Sequence, residues 1–305
     1  MSGDLSVKVF GVGGGGGHTL AELSKYEGAG KLDLLAVNTD AMVLLSLDVP
    51  KKILIGKEIT GGTSTGSDPI LGGRCARYDI GKISEAMDDA DVVFITCGLG
   101  GGTGSGAAPV VAERAKTVGA LTVAIVTIPF NSEGKKTTHN AEIGFKNLKT
   151  NCDAVIVIPN ERLLTIAPGL PITEAFKLAD ETTATIISEL SDLLHEDKSS
   201  FTLADIRAIL TSGRTVYVGI GSSEIYSEAA DLALESPLIN ADFTECCDAL
   251  VKISYGVGVE EAKVEAALQR VSERLPSRVS MIWGSSLNPS LQNNLIKIMV
   301  VVCLK

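Results

Sequence analysis

Along the first half of the chain, short continuous apolar runs alternate with stretches whose apolar positions recur every three or four residues. The runs fall at residues 7–12, 32–37, 53–55, 92–96, 121–128 and 154–158. A strand that is apolar at every position must be covered on both faces. The alternation therefore predicts an α/β fold built on a parallel, doubly covered sheet. From Pro171 the pattern changes. Phe176, Ala179, Thr183, Ile186, Ile187, Leu190, Leu193 and Leu194 keep spacings of three and four, which predicts one helix of about 24 residues, ~36 Å long. After a polar stretch at 195–200 a second, smaller unit is expected to mix both element types. Its predicted strands are 216–220, 250–254, 279–283 and 295–303, with helices near 224–234 and 260–275.

Two of the strands run straight into glycine-rich segments. Residues 98–106 read G-L-G-G-G-T-G-S-G and lead into Ala107, Ala108, Pro109 and Val110. With so few Cβ atoms, successive backbone N–H groups can turn toward one point. The helix that follows adds the positive end of its dipole, a combination suited to phosphate. A flexible linker is the competing reading, but linkers seldom sit between a buried strand and an amphipathic helix. The second segment, G-V-G-G-G-G-G-H at 11–18, follows the first strand. Both lie at carboxyl ends of strands, the edge where open parallel sheets bind ligands. Gly11, Gly13 and Gly16 also satisfy G-x-G-x-x-G, with Asn38 and Asp40 near the place of a ribose-reading acid. Taken alone, that loop leaves a dinucleotide site open; this reading leaves the second loop unused. No G-x-x-x-x-G-K-[ST] occurs, which argues against a P-loop NTPase.

The heptapeptide GGGTGSG at 100–106 resembles the signature of the FtsZ/tubulin family of polymerising GTPases, closer to FtsZ than to tubulin. Further segments similar to the family follow in its order: GVGGGGG from Gly11, VNTDA from Val37, GAAPVVAE from Gly106, GALTVAIVT from Gly119, PF..EGKK from Pro129, VIPNERLL from Val157, EAF..AD from Glu174 and SPLI from Ser236. The resemblance spans residues 7–303. It implies a Rossmann-like GTP-binding domain over 1–172, a long central helix with the start of a catalytic loop over 173–200, and an α+β activation domain over 201–305. It also implies GTP or GDP with Mg²⁺ as ligands and a head-to-tail homopolymer in which GTP is hydrolysed between subunits, in cell division or a related cytoskeletal task. The alternative is a filament-forming GTP-binding protein with little or no hydrolysis.

Residue by residue, the resemblance puts the phosphates between Gly13, Gly14, Gly15, Gly16 and Gly17 on one side and Gly100, Gly101, Gly102, Thr103, Gly104, Ser105 and Gly106 on the other. The Thr103 and Ser105 hydroxyls are expected as further donors. Residues 61–69 match the segment that senses the γ-phosphate, a plain surface turn being the alternative. Glu133 lies on the ribose-contacting stretch, or is a solvated loop glutamate. Guanine offers N1–H and N2–H₂ donors beside the O6 acceptor, so one carboxylate and one amide suffice to read it. Asp180 and Asn160 match the family's residues for this task. Phe176 matches its base-stacking position, unless it is a core residue; one helical turn puts Phe176 and Asp180 on the same face. Three departures stand out. His18 replaces the family's asparagine at the base or ribose edge. Thr137 replaces an arginine near the phosphates, with Lys135 and Lys136 close by. The catalytic Asn-x-Asp-x-x-Asp, which acts in the neighbouring subunit's site, becomes Ser200, Thr202 and Asp205, with one carboxylate lost and the loop one residue shorter. Glu196 or Asp197 is a substitute acid, or part of a solvated turn. Groups of this kind contribute ~10²–10⁴ in rate, so slow hydrolysis is expected.

Charge narrows the partners. Thirty-seven acidic against 27 basic residues give a net charge of −10, and no basic stripe offers a nucleic-acid groove or an anionic lipid contact. No apolar run reaches membrane-spanning length, and the start MSGDLSVKV lacks a signal sequence, so a cytoplasmic protein without direct membrane insertion is expected. The family binds membrane adaptors through a C-terminal tail, whereas this sequence stops at Lys305, just after its last predicted strand. The six cysteines show no C-x-x-C spacing and are expected as free thiols; the three histidines are scattered. No metal held by side chains alone is expected, and Mg²⁺ would ride on phosphates and water.

Overall fold

The computed structural model describes residues 5–195, 202–213, 215–236, 238, 243–292 and 294–304. The chain divides into two compact units, residues 1–191 and 192–305.

The first unit holds six strands: β1 (Val7–Val12), β2 (Asp33–Asn38), β3 (Lys51–Leu54), β4 (Val92–Gly98), β5 (Leu121–Ile128) and β6 (Ala154–Pro159). They pair in parallel in the order β3-β2-β1-β4-β5-β6. Every residue of β1 is buried. Since successive side chains point to opposite faces, both faces are covered, which is why the run is uninterruptedly apolar. Phe10 and Val12 share a core with Leu35, Val37, Ile95 and Val126 and with Cys75, Ala108 and Leu148 from the covering helices. The edge strand β3 begins with two exposed lysines, Lys51 and Lys52, a guard against edge-to-edge pairing. From β1 the chain goes outward through β2 to β3, then returns to the other side of β1 as β4. This reversal leaves a crevice at the carboxyl ends of β1 and β4. The helices Gly13–Leu23 and Gly102–Thr117 both start there.

The helix Ile172–His195 runs for 24 residues. Ala179, Thr183, Ile186, Ile187 and Leu190 are buried as its spacing predicts, whereas Phe176, counted with them from the sequence, is exposed and Ala175 is buried in its stead. Tyr26 Oη and Thr185 Oγ1 lie 2.7 Å apart, tying it to the segment that leaves the first helix.

The second unit contains β7 (Thr215–Ser223), β8 (Cys246–Tyr255), β9 (Ser280–Leu287) and β10 (Ile296–Leu304), ordered β7-β10-β8-β9. β10 is antiparallel to both neighbours, while β8 and β9 are parallel. Ala230 and Ala233 of the helix Tyr226–Leu234 pack with Val264, Ala267 and Val271 of the helix Glu261–Arg274, and Arg270 clamps Asp231 through two bonds of 3.0 and 2.9 Å. A helix at Leu203–Ser212, not foreseen from the sequence, buries Ile206, Ile209 and Leu210. Its apolar residues, Leu203, Ala204, Ile206, Ala208, Ile209 and Leu210, fall within ten residues, too short a stretch for a repeat to mark a helix face.

Candidate functional site

Both glycine segments turn helical sooner than the sequence suggests. The first helix starts at Gly13, whose φ of 77° makes the turn out of β1; the second starts at Gly102, after Gly100 at φ 107°. The expected open loops thus shrink to single turns. Close packing is the reason. A Cβ on Gly13 would sit 3.0 Å from the Gly104 nitrogen, and one on Gly104 would strike the Gly98 carbonyl. The two helix starts can approach each other and β4 only without side chains. Gly14 and Gly101, by contrast, have nothing within 4 Å of a would-be Cβ and face open space. Two hydroxyls expected as phosphate donors are buried and already engaged. Ser105 Oγ accepts the Gly100 N–H at 2.8 Å, and Thr103 Oγ1 lies 3.0 Å from Thr39 Oγ1.

Beside these helix starts opens a cavity of about 620 Å³. Of the residues named from the sequence, Gly15, His18, Gly101, Glu133, Asn160, Phe176 and Asp180 line it. Gly13, Gly14, Gly16, Gly17, Gly100, Gly102, Thr103, Gly104, Ser105 and Gly106 lie on the two flanking segments, outside that lining. Glu22, Thr127, Thr173 and Lys177 also line the cavity and were missed. Lys177 and Thr173 fall on the face already marked by Phe176 and Asp180, so helical spacing from those two was the available signal.

Asn160 opens the helix that follows β6. It is 3% exposed, and its Oδ1 has no hydrogen-bond partner among the described residues. Leaving such an oxygen unpaired costs about 1–3 kcal/mol, which a ligand N–H in the cavity would recover. Across the cavity, Asp180 Oδ1 accepts the Thr19 hydroxyl at 3.0 Å. Burial pushes its pKa up to about 6, opposed by the Thr19 bond and by His18, and assisted by Glu22 and Glu181. Phe176 is 41% exposed, so it is not a core residue. Its ring meets the buried Phe130 edge-on, with centroids 5.2 Å apart at 80°, which holds it in place at the cavity wall. Glu133 Oε1 accepts the Phe130 N–H at 2.7 Å. Thr137, in the place of the family's arginine, donates to the Glu133 carbonyl and rests its methyl beside Gly100.

Residues 61–69 do more than turn at the surface. Thr65 is buried, with its hydroxyl against Gly102. Asp68 caps the helix Pro69–Tyr78 by accepting the Ile70 and Leu71 N–H groups at 2.9 and 3.3 Å. In the second unit, Thr202 and Asp205 form a reciprocal cap at the start of the helix Leu203–Ser212. The Thr202 N–H and hydroxyl donate to Asp205 Oδ2 at 2.8 and 2.6 Å, and the Asp205 N–H donates back at 3.2 Å. These bonds hold the exposed Asp205 carboxyl below its ordinary range. Ser200, Glu196 and Asp197 lie outside the described residues.

Comparison with known proteins gives the family. Residues 6–168 match the GTPase domain of the Tubulin/FtsZ family, and residues 215–304 match the C-terminal domain of the FtsZ family. Cell division protein FtsZ 1 of Pyrococcus horikoshii is 42% identical over 300 residues, covering 97% of this chain and 80% of that protein. Its namesake from Methanocaldococcus jannaschii is 40% identical over 303 residues, covering 97% and 82%. The solved FtsZ dimer of M. jannaschii superposes with a TM-score of 0.92 at 38% identity, over 99% of this chain and 89% of that one. CetZ2 from Haloferax volcanii shares the fold, with a TM-score of 0.83 at 23% identity, over 99% of this chain and 94% of that one. Among the described residues no helix is long and apolar enough to cross a membrane. With both family domains matched in order, and such identity over nearly its whole length, the chain belongs to the tubulin/FtsZ family of GTPases, on its FtsZ side.

Proposed function

We propose that the chain binds GTP and GDP in the first-unit cavity, assembles head-to-tail into protofilaments and hydrolyses GTP between successive copies, in cell division. Residues 1–172 form the GTP-binding domain, 173–200 the central helix and the start of the catalytic loop, and 201–305 the activation domain. The protein works in the cytoplasm, and any hold on a membrane falls to an adaptor. One observation carries the ligand assignment: the unpartnered Asn160 Oδ1 shares a cavity with the Asp180 carboxylate and the Phe176 ring. Together the carboxylate and the amide supply the acceptors and the donor that guanine's Watson–Crick edge requires, and Phe176 offers a surface for stacking. The phosphates lie toward the two helix starts, where Gly14 and Gly101 let the backbone approach. Glu133 is the ribose contact.

Mg²⁺ bound with the nucleotide neutralises phosphate charge. Phosphates and water would carry most of its coordination. Asp205 of one copy, flanked by Thr202 and Ser200, completes the site of the next. As an ionised carboxylate at neutral pH, it accepts hydrogen bonds and orients the attacking water. Competition against a fluorescent GTP analogue tests the ligand assignment: GTP and GDP should displace it far better than ATP or NAD, and equal displacement by ATP would refute the guanine reading.

A further inference from the structure

Asn140, on the helix Lys135–Asn151, belongs to none of the motifs that mark the site, and it does not line the cavity. It is 6% exposed. Its amide nitrogen donates to two backbone carbonyls on different segments, Ser67 O at 3.0 Å and Gly100 O at 3.1 Å. Because both partners are acceptors, only the nitrogen can face them, and the amide's orientation is fixed. Each carbonyl belongs to a residue with left-handed backbone, Ser67 at φ 61° and Gly100 at φ 107°. For a serine that conformation is uncommon and persists only when its surroundings hold it. The loop is also tied at its start, where the Ala41 N–H donates to Gly62 O at 2.9 Å; within 63–67 the other hydrogen bonds among described residues are local: Thr63 to Thr60, Gly66 to Ser64, and Asp68 to Thr65. Gly100 is held from the other side as well, its N–H by Ser105.

We propose that Asn140 is a positioning residue that locks the loop 61–68 to the turn at Gly100, and that this lock sets how strongly the protein prefers a nucleoside triphosphate to a diphosphate. The proposal rests on the reading of the cavity as a guanosine-nucleotide site with that loop at the terminal phosphate. A loop already pinned at Ser67 loses little freedom when it closes on the third phosphate; an unpinned loop loses more, and binding weakens by that amount. A diphosphate does not reach the loop, and the Gly100 turn that it does meet keeps its second tie through Ser105, so a diphosphate is far less sensitive to the lock.

The test measures dissociation constants for GDP and for a non-hydrolysable GTP analogue with the wild-type chain, Asn140→Ala and Asn140→Asp. The aspartate keeps the volume but turns an acceptor toward both carbonyls, so it carries the test if the alanine variant unfolds; thermal unfolding checks that each variant is native. Loss of the tie to Ser67 should weaken the triphosphate analogue by up to about tenfold, and GDP by less than about twofold, since GDP meets only the Gly100 turn, which Ser105 still holds. Hydrogen exchange at residues 63–67 should rise in the same variants. If the analogue and GDP weaken together, or neither changes, Asn140 only supports the fold and the proposal fails. If the wild type binds no guanosine nucleotide, or does not distinguish the two, the underlying site reading fails and takes the proposal with it.

Discussion

Asn160 and Asp180 show how the same burial acts differently on an amide and a carboxylate. The amide cannot titrate, so its unpaired oxygen simply waits for a donor. The carboxylate answers by holding its proton to about pH 6. Its folded pKa lies above the ordinary value of 3.8, so its contribution to stability is present below pH 3.8 and is lost as the pH rises through about 6. Asp180→Asn, which mimics the protonated form, should therefore raise the melting temperature of the nucleotide-free protein at pH 7, with the gain vanishing near pH 4. A gain that persists at pH 4 would show that the effect is not ionisation. If Asp180 reads the base as proposed, the sign reverses in binding, because the guanine donors want the ionised carboxylate. The ratio of GTP to ATP affinity, in which titration of the phosphates cancels, should fall as the pH drops below 6. Asp180→Ala should lower that ratio at pH 7 by roughly 1–3 kcal/mol. An unchanged ratio would mean that another residue reads the base.

At the scale of elements, the glycine run separates into positions required by packing and positions left open. Gly104→Ala drives a methyl into the Gly98 carbonyl and should cost about 1–3 kcal/mol in a denaturant titration. Gly14→Ala meets no neighbour within 4 Å and improves helix propensity, so folding should hold or gain up to ~1 kcal/mol while GTP binding weakens. Comparable losses of stability in both variants would contradict this division. The helix Leu203–Ser212 raises a related point. Asp205 caps its own helix through Thr202, so Asp205→Ala removes a cap and a candidate catalytic group together. Asp205→Asn keeps an acceptor for the cap and removes only the charge. Asp205→Ala should lower the melting temperature and Asp205→Asn much less, while both should lose turnover, by ~10² or more. Turnover that survives in Asp205→Asn would make the role of Asp205 structural.

For the whole molecule, a site completed by a second copy makes activity a collective property. A heterologous contact that does not close on itself builds filaments. Specific GTPase activity should be near zero in dilute solution and rise above a threshold concentration together with light scattering. Activity that is constant across a wide concentration range would rule out a shared site. With a net charge of −10 per chain, that threshold should fall as salt screens repulsion between copies.

The sequence by itself determined the strands, the long helix and the identity of the family. These follow from local periodicity and from motifs contiguous in the chain: β1 and β5 keep their expected bounds, 7–12 and 121–128, and the helix at 172–195 keeps its expected length. It also named Asp180, Asn160 and Phe176, because the family match fixes residue types at positions. Only the tertiary structure decided which glycines are open, since that depends on what crosses them in space: Gly104 and Gly14 are alike in sequence and differ in whether Gly98 stands above them. It alone turned the Ser105 and Thr103 hydroxyls inward, orphaned the Asn160 oxygen, and brought Asn140 between Ser67 and Gly100, partners 73 and 40 residues away along the chain. Contacts over such separations leave no periodic trace in a single sequence, because the residue types that make them are set by the packing of elements whose relative placement the local pattern does not encode.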